Sequence, residues 1–181
     1  MLDLPNVSLI CLDTRHPNLA ASAMGRCLDR AKFGEAVLLT GTGFISPDPR
    51  ISVRPVDTLR NVADYSTFMV KHLHAHVACG HALIIQWDSF IIDEQAWDPA
   101  FLDYDYIGAP WPHRAEPVGN GGFSLRSRRL LEALTDPDIR ELHPADACIC
   151  ERYRKALEKM RERERVRAEA VPLTEEVFPG K

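Results

Sequence analysis

The chain lacks any hydrophobic run near the roughly 20 residues that cross a bilayer, so no membrane span is expected. Its amino end, "MLDLPNVSLICLD", has neither the basic start nor the cleavable apolar stretch of a secretion signal, and a cytoplasmic protein is the expectation. Positive charge is not in surplus. The 22 Lys and Arg against 26 Asp and Glu leave a net charge of -4, which gives no broad basic field for nucleic acid or an anionic lipid surface. Cysteine is sparse and odd in number: Cys11, Cys27, Cys79, Cys148 and Cys150, several in apolar surroundings, fit reduced core thiols better than a disulfide framework. Cys148 and Cys150 are too close for a CxxC metal knuckle. There is no HExxH, no paired CxxC, and no GxGxxG opening a helix, so the familiar zinc and dinucleotide fingerprints are missing. Neither an internal repeat nor a low-complexity segment is present.

What the chain does have is an ordinary globular composition, 45% hydrophobic and 27% charged, over 181 residues, enough for one domain spanning 1–181. "VSLICL" predicts a buried strand over Val7–Leu12, and Pro17-Asn18 opens a helix with Ala20, Met24, Cys27, Leu28 and Ala31 on one side. Gly34 is expected to close that helix before a second buried strand, Ala36–Thr40. "ISVRPV" reads as an edge strand, because Pro55 has no N–H for a ladder. Asp64 is expected to cap a helix over Tyr65–Val77 with Phe68, Met69, Leu73 and Val77 inward. "ALIIQ", Ala82–Gln86, is the most strand-like run. "DYDYIGA" and "GGFSLRS" read as two further extended segments, and Leu130, Leu131 and Leu134 mark a short helix stopped by Asp136-Pro137. A last helix starts near Pro144, with Ile149, Tyr153, Ala156, Leu157 and Met160 as its stripe and a solvated outer face of alternating charge. This alternation of strand and helix predicts an α/β fold with a mixed, mostly parallel sheet and ligands beyond the carboxyl ends of its strands.

Polar residues cluster at those ends. Asp13, Thr14 and Arg15 follow the first strand. Asp88 follows "ALIIQ", where a hard divalent cation bridging to a diphosphate would find an oxygen ligand, although a turn or cap aspartate fits the position equally well. Gln86-Trp87-Asp88 is one carboxylate short of an Asp-x-Asp pair. Gly119-Asn120-Gly121-Gly122 reads as a loop with bare backbone N–H groups for a phosphate or sugar hydroxyl, or as a tight turn. Trp111 could stack on a sugar face or belong to the core. Lys71 could reach an anionic ligand, or be solvated. His72 and His76 share a helix face but His74 does not, and no zinc site is expected. Asp146, at the first turn of the last helix, suits capping or catalysis by a carboxylate kept ionised near a helix amino end.

Taken in order, "VSLICLDTRHPNLAASAM", "YSTFMVKHL", "IIQWDSF", "WDPAFLDYDYIGAPW", "VGNGGFSLRSRRLL" and "HPADACICERYR" resemble a family of largely uncharacterised proteins regarded as glycosyltransferases. The resemblance implies a single GT-A-like, Rossmann-like domain for nucleotide-diphospho-sugar transfer. On it, Asp13, Thr14 and Arg15 would lie near base and ribose, and Gln86 and Asp88 at the diphosphate with a divalent cation (Mn²⁺ or Mg²⁺) on Asp88. Asn120, Gly121 and Gly122 would line the donor sugar or acceptor, and Asp146 would face the acceptor hydroxyl. The expected partners are a nucleotide-sugar donor and a carbohydrate or other hydroxyl acceptor. The family pattern goes on into an aromatic, histidine-bearing stretch, whereas this chain stops at "LTEEVFPGK". A carbohydrate or nucleotide-sugar binding domain without turnover is the alternative.

Overall fold

A computed structural model describes residues 1–111 and 118–169 of the chain. Six strands form one sheet: β1 (Leu2–Leu12), β2 (Ala31–Thr40), β3 (Ser52–Pro55), β4 (His81–Ile85), β5 (Tyr106–Pro110) and β6 (Val118–Ser127), in the order β3-β2-β1-β4-β6-β5. The first four are parallel, and β6 runs antiparallel to both β4 and β5. The fold is therefore α/β with a mixed, mostly parallel sheet. The continuous apolar runs follow from a sheet covered on both faces. Leu9, Cys11, Leu38, Leu83 and Ile85 pack with helix α1 (Pro17–Leu28), whereas Ile10, Leu12, Val37, Leu39 and Ile84 face the opposite layer.

That second layer holds α2 (Val62–Thr67), which continues as a wider π turn over Phe68–His72 and a tighter 3₁₀ turn over Leu73–His76, then α3 (Arg128–Ala133), α4 (Ala145–Ala147), a second π turn over Cys148–Arg152, and α5 (Arg154–Glu169). Pro55 sits on the edge strand as expected. The tail segment "LTEEVFPGK", 173–181, lies outside the described residues. Among the described residues no helix is long and apolar enough to cross a membrane. All five cysteines carry free thiols, with burial pushing the Cys11 thiol up to about 12.

Four local expectations are corrected. The first strand starts at Leu2, not Val7: β1 pairs Leu2–Leu4 with Ala31–Phe33 and then bulges, so that Pro5, Asn6 and Val7 span only Gly34 on β2. Gly34 consequently lies inside β2 and does not close α1, which ends at Leu28, and Ala31 belongs to the strand. A Cβ at Gly34 would stand 2.2 Å from the Pro5 carbonyl oxygen, so only glycine lets the bulge close. The α2 cap is Asn61, whose Oδ1 accepts the Asp64 N–H at 2.9 Å, while Asp64 itself turns back to Arg60 at 2.9 Å. Finally, the glycine run is strand, not loop. Pairing with β5 at Val118 and Asn120 keeps the run extended despite the preference of glycine for turns, while β4 joins the ladder only from Phe123 onward.

Candidate functional site

A cavity of about 670 Å³ opens at the carboxyl ends of β1 and β4, under the amino end of α2 and beside α4. Its size is in the range of ordinary small-molecule sites. Asp13, Thr14, Arg15, Gln86, Gly121, Gly122 and Asp146 line it, so motifs at opposite ends of the chain meet there. Each is held by the local chain. Asp13 Oδ1 accepts the N–H groups of Arg15 (2.8 Å) and His16 (2.7 Å), fixing the turn from β1 into α1. Thr14 Oγ1 accepts the Leu59 N–H at 3.2 Å, and Arg15 Nη2 donates to the Arg60 carbonyl at 2.8 Å, which ties this rim to the segment before α2.

Gln86 leaves β4 toward the cavity, and its Nε2 donates to Tyr65 Oη at 3.4 Å. Burial raises the Tyr65 hydroxyl above its ordinary value, so it remains a protonated phenol at neutral pH. Gly122 leaves Gln86 this position, since a Cβ there would stand 2.9 Å from Gln86 Oε1 and push the amide aside. Asp146 Oδ1 accepts the Ala147 N–H at 2.9 Å, which orients the half-buried carboxylate and leaves Oδ2 without a protein partner among the described residues.

The remaining sequence candidates lie elsewhere. Trp87 and Asp88 are the central residues of a tight turn closed by the Ser89 N–H on the Gln86 carbonyl at 3.1 Å, and Ser89 Oγ donates to the Gly122 carbonyl at 2.9 Å. That turn leaves Trp87 on the polar cavity and puts exposed Asp88 on a second cavity, about 680 Å³, on the other face of the sheet. This second cavity is apolar, bordered by Leu83, Phe90, Trp97, Phe101, Phe123 and Leu125. Lys71 is not solvated: its Nζ donates to the carbonyls of Leu134 (2.8 Å) and Asp136 (2.7 Å), beyond the end of α3. Trp111 lies against Gly119, where a Cβ would stand 2.3 Å from the indole. Asn120 Oδ1 accepts the Gly122 N–H at 3.0 Å. Neither Trp111 nor Asn120 borders the polar cavity.

The divalent cation does not fit the donor set. Among the described residues no three His, Cys, Asp or Glu side chains converge on a possible ion, and the one carboxylate assigned to it borders the other cavity. Sequence reasoning missed Tyr65, Ser66 and Arg126 in the cavity wall. Alternation along β6 could have signalled Arg126, since it shares a face with Ser124 between two residues, Leu125 and Ser127, that point the other way.

Fold and cavity together define an α/β protein with a polar ligand-sized site at the carboxyl ends of a mostly parallel sheet. The chain belongs to the family described as "Protein of unknown function (DUF5672)", whose pattern matches residues 50–176. No curated protein matches the chain. Among solved structures, it is similar to the crystal structure of Rv0371c from Mycobacterium tuberculosis H37Rv, with 14% identity over 72% of this chain and 76% of that one and a TM-score of 0.41. The crystal structure of the Rv0371C complex with manganese from the same organism matches at 12% identity over the same shares, with a TM-score of 0.39.

Proposed function

We propose that the polar cavity takes a nucleoside diphosphate sugar and that the protein transfers the sugar to a hydroxyl acceptor, a carbohydrate or another alcohol. The observation that carries this reading is the convergence of Asp13, Gln86, Gly121 and Asp146 on one cavity at the carboxyl ends of the parallel strands. The order of the sequence motifs, with their resemblance to glycosyltransferases, supplies the chemistry. In this reading the rim at Asp13, Thr14 and Arg15 receives the nucleoside, and Gln86 and the backbone of Gly121 and Gly122 border the sugar. The acceptor oxygen bonds to the anomeric carbon as the bond to the diphosphate breaks and its electron pair leaves with the phosphate. In such a single displacement, which inverts the anomeric configuration, Asp146 Oδ2 takes the acceptor proton.

The test is transfer of a radiolabelled sugar from a panel of nucleotide sugars, compared between the parent protein and Asp146→Asn. Asparagine keeps the shape and the bond from Ala147 N–H but cannot accept the proton. Transfer should fall about 10²–10⁴-fold with stability little changed. Parental transfer by the variant removes Asp146 as the base.

A second reading, a nucleotide-sugar or carbohydrate binding domain without turnover, is favoured by Asp88 standing outside the cavity. Binding of a nucleotide sugar with neither hydrolysis nor transfer would select it.

A further inference from the structure

Arg126 is 1% exposed, the largest fully buried side chain among the described residues, and it lines the polar cavity. Its Nε donates to Ser124 Oγ at 3.1 Å, and its guanidinium carbon lies 5.4 Å from the centre of the Tyr106 ring. Nη1 is buried with no hydrogen-bond partner. Nη2 faces the bare backbone of Gly121, where a Cβ would approach it to 3.0 Å and that of Asp146 to 3.6 Å. No carboxylate forms an ion pair with this guanidinium among the described residues, although the cavity also holds Asp13 and Asp146. Buried arginines are ordinarily paired, because an uncompensated buried ion is strongly unfavourable. A planar fork with free donors at the wall of a ligand-sized cavity is a receptor for an oxyanion.

We propose that Arg126 is the anion-binding residue of the cavity, receiving an oxyanion group of the ligand directly and without a bridging divalent cation. Gly121 keeps the approach to Nη2 open. The ligand thus carries a phosphate or carboxylate at the inner end of the cavity. The inference deepens the reading given above and rests on it for the choice of phosphate as the leading chemistry. In that reading Arg126 offsets charge on the departing diphosphate, the task expected of the cation at Asp88.

The test is calorimetric titration of the full chain with inorganic pyrophosphate, and separately with malonate, in EDTA. The proteins are the parent, Arg126→Met, Arg126→Lys and Gly121→Ala, each checked for folding by circular dichroism. Pyrophosphate should bind the parent, and Arg126→Met should weaken it by about tenfold to a hundredfold, the scale of losing charge-assisted hydrogen bonds. Arg126→Lys should fall between. If Arg126→Met does not fold, Gly121→Ala decides, since it keeps the charge and fills the space before Nη2, and its affinity should also drop. Malonate binding that depends on Arg126, with none of pyrophosphate, upholds the anion site while removing the phosphate donor. Pyrophosphate binding that depends on Arg126, with no sugar transferred, upholds the site and removes the transferase. Parental affinity in Arg126→Met and Gly121→Ala, binding only when Mn²⁺ or Mg²⁺ is supplied, or no binding of either anion to the parent overturns the proposal.

Discussion

Ser127 Oγ lies 2.6 Å from Asp105 Oδ1 and at the same time accepts the Leu130 N–H at 3.0 Å, so one hydroxyl caps α3 and links β6 to the segment entering β5. Arg129 adds a 2.7 Å bond to the same Asp105 oxygen. Burial works against the Asp105 charge, but the Ser127 and Arg129 bonds prevail and hold its carboxyl below the usual range. Ser127→Ala removes both roles of the hydroxyl and should cost about 1–2 kcal/mol, the upper part of the range for a lost cap. Urea denaturation of parent and variant measures it, and a loss confined to a few tenths of a kcal/mol would contradict the assignment.

Glu35 joins β1, β2 and β3. Its Oε1 accepts from Ser8 Oγ at 2.6 Å and from Ala78 N–H at 2.8 Å, and its Oε2 pairs with Arg54 Nη2 at 2.8 Å. Burial pushes its carboxyl up, but these donors outweigh it and leave the folded state below the ordinary 4.5. A depressed carboxyl stabilises the fold above its unfolded value and loses that contribution as pH falls through the folded one. Glu35→Gln should therefore be destabilised by about 1–2 kcal/mol at neutral pH. The difference from the parent should shrink once pH drops below 4.5. Melting temperatures between pH 3 and 7 check the trend, and a gap that widens in acid would refute it.

Lys71 is spoken for by two carbonyls, which separates a structural role from ligand binding. Lys71→Met should lower stability by about 1–2 kcal/mol through the orphaned Leu134 and Asp136 carbonyls. Pyrophosphate affinity should stay within about twofold of the parent, a difference of some 0.4 kcal/mol. Weakened binding at unchanged stability would return Lys71 to the ligand site.

Asp88 faces away from the polar cavity, so Asp88→Asn should leave pyrophosphate affinity unchanged both in EDTA and with Mn²⁺. A Mn²⁺-dependent gain in the parent that disappears in the variant would establish Asp88 as a metal ligand after all.

The buried strands were legible because a sheet covered on both faces needs unbroken apolar runs, and "SLICL" and "ALII" carry that pattern without ambiguity. The rim at Asp13 and the carboxylate at Asp146 were legible for a related reason: strand ends and helix starts are where sites form. Other residues depended on distant partners. Lys71 finds carbonyls more than sixty positions away, which no local pattern encodes. The glycines of β6 look like turn residues in isolation. The Trp111 ring lying over Gly119 explains why the strand must be bare there, and the missing side chains at Gly121 and Gly122 leave Arg126 and Gln86 their positions. Trp87 and Asp88 form the tight turn that ends β4, and the alternation that would assign their sides does not survive it.

Strand β6, flanked by β4 and β5, is a partition between two chambers of opposite character. Gly122 and Arg126 belong to the polar one, whereas Phe123 and Leu125 belong to the apolar one. Because neighbouring side chains on a strand point to opposite sides, inserting one residue after Phe123, inside the regular ladder with β4, would invert the partition from Ser124 onward. Leucine would then occupy the wet chamber and the guanidinium would be forced among Phe90, Trp97 and Phe101. Length along this strand is thus under tighter constraint than the identity of most residues in it, and both chambers stand or fall by the same count.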